Sequence, residues 1–213
     1  MLHGRNVTLE LRPETAVVDA ICEEAKLGYG AIVVGVAAES VVDGIPEWVS
    51  RVIAATNVPV VIIRRPKNSD RRTPWAFGRA LVPIAGGSRA RAAQEVAFGI
   101  SAAIGTEVVL ARVRTPVRND AGDGGRRIAS KLLSEASDQA RHTGARVQTL
   151  ERAGDSAPDE ILNMAKDVAA DLVVLGVGRK SIGGEPYLGS TATEILANCD
   201  CTVIAIVLSD GLR

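Results

Sequence analysis

Asp171-Leu-Val-Val-Leu-Gly176-Val-Gly178-Arg-Lys-Ser-Ile-Gly183-Gly184-Glu-Pro-Tyr-Leu-Gly189-Ser190-Thr191 is the stretch that decides the fold class. Its apolar opening, bounded by glycine, predicts a strand covered on both faces. A glycine-rich loop follows Leu175, and the polar residues before Ile195 predict the start of a helix. Glycine lets backbone amides approach an anion, and the first turn of a helix leaves N–H groups without internal partners. Thr191 and Glu194 have the spacing of a capping box. Two readings of Gly189-Ser190-Thr191 therefore stand side by side. It is either a phosphate seat, or a helix start that Ser190 or Thr191 caps.

Working outward, Arg79-Ala-Leu-Val-Pro-Ile84 predicts another strand, which runs into Ala85-Gly86-Gly87-Ser88. Arg89 to about Ile104 has Ala92, Val96, Ile100 and Ala103 near one helical face. Glu107–Arg112 is the next strand. Asn119-Asp-Ala-Gly-Asp-Gly-Gly125 has a loop's composition, and helix resumes through Arg141 until Gly144 stops it. Val147–Arg152 and Val203–Ile204 complete the strands. The order β-α-β-α-β-α-β-α-β implies a parallel sheet with right-handed crossovers, whose ligand edge lies at the carboxyl ends of its strands. Both glycine-rich turns, after Ile84 and after Leu175, leave such ends and can converge on one crevice.

Part of this order occurs earlier in the chain. Val7–Arg12 reads as a strand, Thr15 caps Ala16–Lys26, Ala31–Gly35 is a buried strand, Pro46 opens a helix to about Ala55, and Val60–Ile63 is another strand. Val7 recurs as Val147, an offset of 140; Gly35 as Gly176, an offset of 141; Val60 as Val203, an offset of 143. Slips confined to loops are what a diverged duplication leaves. The reading is thus α/β: an open parallel five-stranded sheet with helices on both faces in one complete copy (79–208), plus one partial copy (1–66). Residues 67–78 link them. The stretch Arg64-Arg-Pro-Lys-Asn-Ser-Asp-Arg-Arg-Thr-Pro74 reads as a solvated, breaker-rich connection, with Trp75 and Phe77 anchoring the domain that follows. Met1 falls inside a repeat, so the sequence reads as a piece of a longer protein or as one with a shortened first domain.

Composition narrows the function classes. Apolar residues make up 46% of the 213 and aromatics only 3%, so Ala, Val, Ile and Leu must build the core, as in parallel sheets under Ala-rich helices. Lys+Arg and Asp+Glu balance at 25 each, which removes the global field that would attract nucleic acid or an anionic membrane. No apolar run has the length of a bilayer span, so direct membrane insertion is not expected and the chain reads as cytoplasmic. Cys22, Cys199 and Cys201 lack metal-site spacing, and an odd number of cysteines disfavours a secreted disulfide framework. Cys199 and Cys201 flank a strand entry and read as small packing residues. His3 and His142 are isolated, and no metal site is expected.

Residues 79–208 resemble a universal stress protein domain. The resemblance rests on Arg-Ala-Leu-Val-Pro-Ile followed by Gly-Gly-Ser, on Asp-Leu-Val-Val-Leu-Gly, on Leu-Gly-Ser-Thr and on Cys-Thr-Val-Ile-Ala-Ile. Residues 5–64 resemble the second half of such a domain. Tandem copies with Gly-Gly-Glu-Pro-Tyr-Leu-Gly before the last helix resemble the cytoplasmic tails of bacterial cation/proton antiporters. The resemblance implies a nucleotide-type fold and, in ATP-binding members, the pattern G-x2-G-x9-G-[S/T] holding phosphates. Here Gly176, Gly189 and Ser190 match it, while Arg179 stands at the second glycine and Gly178 falls one residue early. Arg179 either binds phosphate through its forked donors or obstructs the loop. The acidic residue that binders carry after the first strand is Ala85 here. In the first copy Pro46 and Glu47 replace the glycine and its successor, removing an N–H donor and adding a negative charge.

The function that this resemblance implies is a non-enzymatic regulatory module, the cytoplasmic domain of a cation/proton antiporter, sensing ATP or another adenine nucleotide. Its cofactor-binding residues are Ala85, Gly86, Gly87, Gly176, Gly178, Arg179, Gly189, Ser190 and Thr191. Its expected partners are a second copy, forming a homodimer, and a transmembrane antiporter domain of the same or a partner chain. The alternative is a ligand-free structural or dimerisation module, since Ala85, Arg179 and Pro46 all depart from the binding pattern. A weak ATPase ranks third: it would need a base and metal ligands, and near the loop only Glu185 and Glu194 offer carboxylates.

Overall fold

A computed structural model describes residues 16–41, 44–66, 76–116, 123–182 and 185–208. The predicted strand Val7–Arg12, Thr15 and Trp75 lie outside them. Elements form where the apolar pattern puts them. The N-terminal segment gives α1 (Val17–Ala25), β1 (Ile32–Val36), a short 3-10 turn at Ala38–Val41, α2 (Glu47–Ala55) and β2 (Val60–Arg64). The C-terminal segment gives β3 (Arg79–Pro83), α3 (Gly87–Ile104), β4 (Glu107–Arg114), α4 (Asp123–Thr143), β5 (Val147–Ala153), α5 (Ala157–Asp167) and β6 (Leu172–Gly178). A small hairpin, β7 (Lys180–Ile182) and β8 (Glu185–Tyr187), precedes α6 (Ser190–Asn198) and β9 (Thr202–Leu208).

The sheet corrects the sequence expectation. Among the described residues it has seven strands, in the order β1-β2-β9-β6-β3-β4-β5, where five were expected, and it is not wholly parallel. Neighbouring pairs are parallel except β2 and β9, which run antiparallel with Val60 opposite Val207 and Arg64 opposite Val203. That pair is a seam: the last strand of the N-terminal segment hydrogen-bonds to the last strand of the C-terminal segment. Such a pairing needs two exposed strand edges of matching length, which no local sequence pattern announces.

The strands nearest the middle are the most apolar and the most buried. β9 is covered along Thr202–Val207, and β6 has only Gly176 partly open. β5, at one rim, alternates and carries Glu151 and Arg152, as an edge strand should. Two apolar cores flank the sheet. α1, α2, α5 and α6 close one side through Val49, Val52, Met164, Ile195 and Leu196; α3 and α4 close the other through Ala93, Ala97, Phe98, Ala136 and Ala140. Alanine dominates the second because α3 lies close on the strands, and Phe77 packs at its margin as expected.

One member of the supposed solvated basic cluster belongs to the fold. Arg64 is the last residue of β2 and 1% exposed. Its Nε donates to Leu196 O at 2.9 Å, Nη1 to Cys201 O at 3.1 Å, and Nη2 to Cys199 O. The guanidinium thus fills the carbonyl-rich end of α6 from across the seam, where a cation is favoured. Burial lowers the Arg64 pKa, against the opposing effect of Cys199, Cys201 and Asp200.

Candidate functional site

The chain leaves β3, adds β4 and β5 on one side, then returns to place β6 and β9 on the other. That reversal makes the carboxyl ends of β3 and β6 a topological switch point, where two connections part and leave a crevice. A cavity of about 340 Å³ lies there. Its walls are Pro83–Gly86 after β3, Ala111 and Val113 of β4, Leu175–Gly178 of β6, and the starts of α3, α5 and α6. The volume falls in the lower part of the about 300–1,000 Å³ range of small-molecule sites.

Of the three helices that begin at the cavity, two start behind a glycine with a left-handed backbone: Gly86 at φ 85° before α3 and Gly189 at φ 89° before α6. Neither helix start has a side-chain cap. The expected capping box of Thr191 and Glu194 therefore does not form. α6 begins two residues earlier than that box requires, with Ser190 and Thr191 already in its first turn. Gly189 O accepts the first intrahelical bond from Thr193 N at 3.1 Å. Ser190, Thr191 and Ala192 all line the cavity. A first turn without a cap presents its amides outward, and here outward is the cavity.

Gly176 and Gly178 lie within β6 rather than in a loop beyond Leu175. Their lack of a side chain has a packing cause. A Cβ on Gly176 would stand 1.8 Å from Arg89 O, so the first turn of α3 can rest on β6 only at a glycine. A Cβ on Gly178 would stand 1.9 Å from Cζ of Arg89, whose guanidinium covers that residue. Among the described wall residues Arg89 is the one that carries a charge, and none is acidic. In the sequence Arg89 reads only as the start of a helix. Its position in the first turn after Gly86-Gly87, where a basic side chain meets a strand end, was the available signal. Thr115, beyond β4, also lines the cavity and carried no signal.

Of the nine expected residues, Ala85, Gly86, Gly176, Gly178, Gly189, Ser190 and Thr191 line this cavity; Gly87 and Arg179 do not. Gly87 is the first residue of α3 and faces a groove beside α4. Arg179 neither reaches into the cavity nor blocks it. Its backbone N–H bonds to Leu208 O at 3.1 Å, and its Nη1 donates to Ile53 O at 3.1 Å and Thr56 O at 3.4 Å. It caps the carboxyl end of α2 in the N-terminal segment, and β8 packs on the same helix. The stretch expected to be a loose glycine loop is instead a hairpin leaning on α2.

The corresponding place in the N-terminal segment looks different. Pro46 is the N-cap of α2, with φ −54°, and Glu47 is its exposed first residue. Glu194, in the third position beyond Thr191, is not part of the C-terminal cavity wall, and Glu185 lies in β8. Among the described residues there is no cluster of three or more His, Cys, Asp or Glu, and no helix is long and apolar enough to cross a membrane.

Comparison with known proteins agrees with this architecture. A universal stress protein from Archaeoglobus fulgidus DSM 4304 superposes with a TM-score of 0.64 at 20% identity, over 91% of this chain and 67% of its own. A universal stress protein solved in complex with cAMP gives 0.50 at 25% identity, over 62% of this chain and 97% of its own. The protein UspA from Lactobacillus plantarum gives 0.52 at 23% identity, over 62% and 99%. Among curated proteins none matches with significance. Residues 76–206 match the universal stress protein family, a span that takes in β3 through most of β9 and every wall of the cavity. The chain belongs to the universal stress protein family.

Proposed function

We propose that the cavity binds an adenine nucleotide or a related phosphate-bearing ligand, and that the chain is a non-enzymatic regulatory module. One observation carries the reading: two uncapped helix starts and one arginine meet at a switch-point cavity whose described walls hold no carboxylate. Helix N-termini and a guanidinium favour an anion there, and Gly86 and Gly189 let the uncapped first turns of α3 and α6 open onto it. The cAMP complex of a protein 25% identical to this chain supports adenine as the base. Arg179 and β8 give occupancy a route to the N-terminal segment, because they join the rim of the cavity to α2.

The finer part of the reading is that the module is the cytoplasmic regulatory domain of a cation/proton antiporter. Its support is the sequence resemblance of tandem copies with Gly183-Gly-Glu-Pro-Tyr-Leu-Gly189. Reading the gene immediately upstream for hydrophobic spans tests it. For the ligand, calorimetric titration with ATP, ADP, AMP, cAMP and cyclic dinucleotides is direct. Binding should vanish in Gly189→Pro, which sets the residue found at position 46. The proposal fails if millimolar ligand produces no heat of binding and no thermal shift.

A second reading, a dimerisation module, has its own observation. Among the described residues the outer edge of β1 pairs with no strand, and Val33 is 64% exposed on its open face. Light scattering across micromolar concentrations tests it, and a strictly monomeric protein would count against it.

A further inference from the structure

At the end of the sheet opposite the cavity, the connection from α6 to β9 holds two of the three cysteines. Cys199 is the C-cap of α6 and buried; Cys201 is half-buried just before β9. Their Sγ atoms are 3.3 Å apart. Residues two apart span at most about 7 Å even when extended. The chain bends at Asp200 and Cys201, and it is this bend that turns the two side chains toward each other. The carbonyls of both cysteines accept from the buried Arg64 guanidinium. The hydrogen bond from the Cys201 thiol, aided by the charge of Arg64 and opposed by burial, brings Cys199 down to about 7. The same hydrogen bond, with burial, raises Cys201, which keeps its proton. Packing alone does not explain two thiols in contact beside a buried cation. A metal site is not favoured, because among the described residues no third His, Cys, Asp or Glu joins them.

We infer that Cys199 and Cys201 form a dithiol that hydrogen peroxide oxidises to an intramolecular disulfide, a modification site at the seam between the two segments. The Cys199 thiolate attacks one peroxide oxygen, the O–O bond breaks, and hydroxide leaves a sulfenic acid on Cys199. The Cys201 sulfur then attacks the sulfenic sulfur; the S–O bond breaks and the departing oxygen takes the Cys201 proton as water. The proton released when Cys199 ionised neutralises the first hydroxide. The balance is two thiols and one peroxide giving one disulfide and two waters. Closing the sulfurs from 3.3 Å to about 2.05 Å draws on the two carbonyls that Arg64 holds, so the change is felt across the seam.

The test uses the whole chain and its Cys22→Ser variant, treated with hydrogen peroxide, alkylated after unfolding and mapped by mass spectrometry. Both proteins should lose two alkylatable thiols, remain single chains and yield a cross-linked peptide joining Cys199 to Cys201, reversed by dithiothreitol. The rate should rise roughly tenfold per pH unit below about pH 7 and level off above it. The inference is overturned if both thiols stay alkylatable, if sulfinic acid accumulates on one cysteine without a cross-link, or if the disulfide joins two chains.

Discussion

β6 with α6 and β1 with α2 stand at sequence offsets of about 141 to 143 residues (Gly35 to Gly176, Pro46 to Gly189), and they lie on either side of the antiparallel seam. Their glycines show how differently the fold uses them. A Cβ on Gly176 would strike the backbone of Arg89, whereas a Cβ on Gly35 would meet nothing within 4 Å. The difference comes from α3: it presses on β6, while among the described residues no helix covers that face of β1, and Val33 beside Gly35 is exposed. The helix starts diverge in the same sense. Gly189 opens α6 with a left-handed backbone onto a cavity, and Pro46 opens α2 with an ordinary one next to Glu47. A strand, a glycine and a helix start are thus insufficient for a ligand cavity. The neighbouring strand and helix, β3 and α3, supply its other walls.

The largest expected effect is on the seam that separates the two regions. Arg64→Met should cost about 3–5 kcal/mol in denaturant unfolding, because it leaves the carbonyls of Leu196, Cys199 and Cys201 buried without their donor. A loss below about 1 kcal/mol would mean that the two segments hold together without it.

Next comes the glycine pair itself. Gly176→Ala should cost about 3 kcal/mol, since the obstacle is backbone and cannot rotate away. Gly35→Ala should be neutral or stabilising by roughly 0.5–1 kcal/mol, as expected for an unobstructed strand glycine. Equal effects in thermal denaturation would erase the contrast. Arg179→Ala removes two side-chain bonds to the end of α2 and should cost about 1 kcal/mol. Hydrogen exchange should then quicken at the carboxyl end of α2 and remain unchanged at α3.

The smallest effect expected is a pH slope. Cys199 sits at about 7 in the fold against an ordinary 9.0, so between those values the unfolded chain binds the extra proton. Stability should rise with pH across that window. Above about 9 it should fall, because Cys201 holds its proton in the fold while the unfolded thiol loses it. Urea midpoints measured from pH 6 to 10 check this, and Cys201→Ala, which removes the donor to Cys199, should flatten the rise.

Much of the fold was legible in the sequence because parallel strands buried on both faces are written as short apolar runs. Leu172–Leu175 and Val203–Val207 could hardly be anything else. The glycines of the cavity were legible for a related reason, as backbone conformations and close approaches restrict residue type at single positions. Arg179, Arg64 and the cysteine pair were not legible. An arginine in a polar run gives no sign of which carbonyls it will meet 123 to 137 residues away along the chain. The capping box failed because Gly189 ended the preceding turn two residues earlier, and capping depends on where a helix begins, not on spacing alone.

By itself the sequence determined the α/β class, the alternation of strands and helices and the family resemblance, and of the nine residues it marked for a site, seven line the cavity. These follow from periodicity and backbone freedom, which are local properties. Only the tertiary structure decided that the sheet has seven strands, that one pair is antiparallel, that Arg89 joins the wall, and that Arg179 and Arg64 fasten the two segments together. Those outcomes depend on which edges and carbonyls meet when distant parts of the chain close on each other. Hydrogen-bonding groups of that kind are carried by nearly every residue, so no sequence pattern marks the ones that will be used.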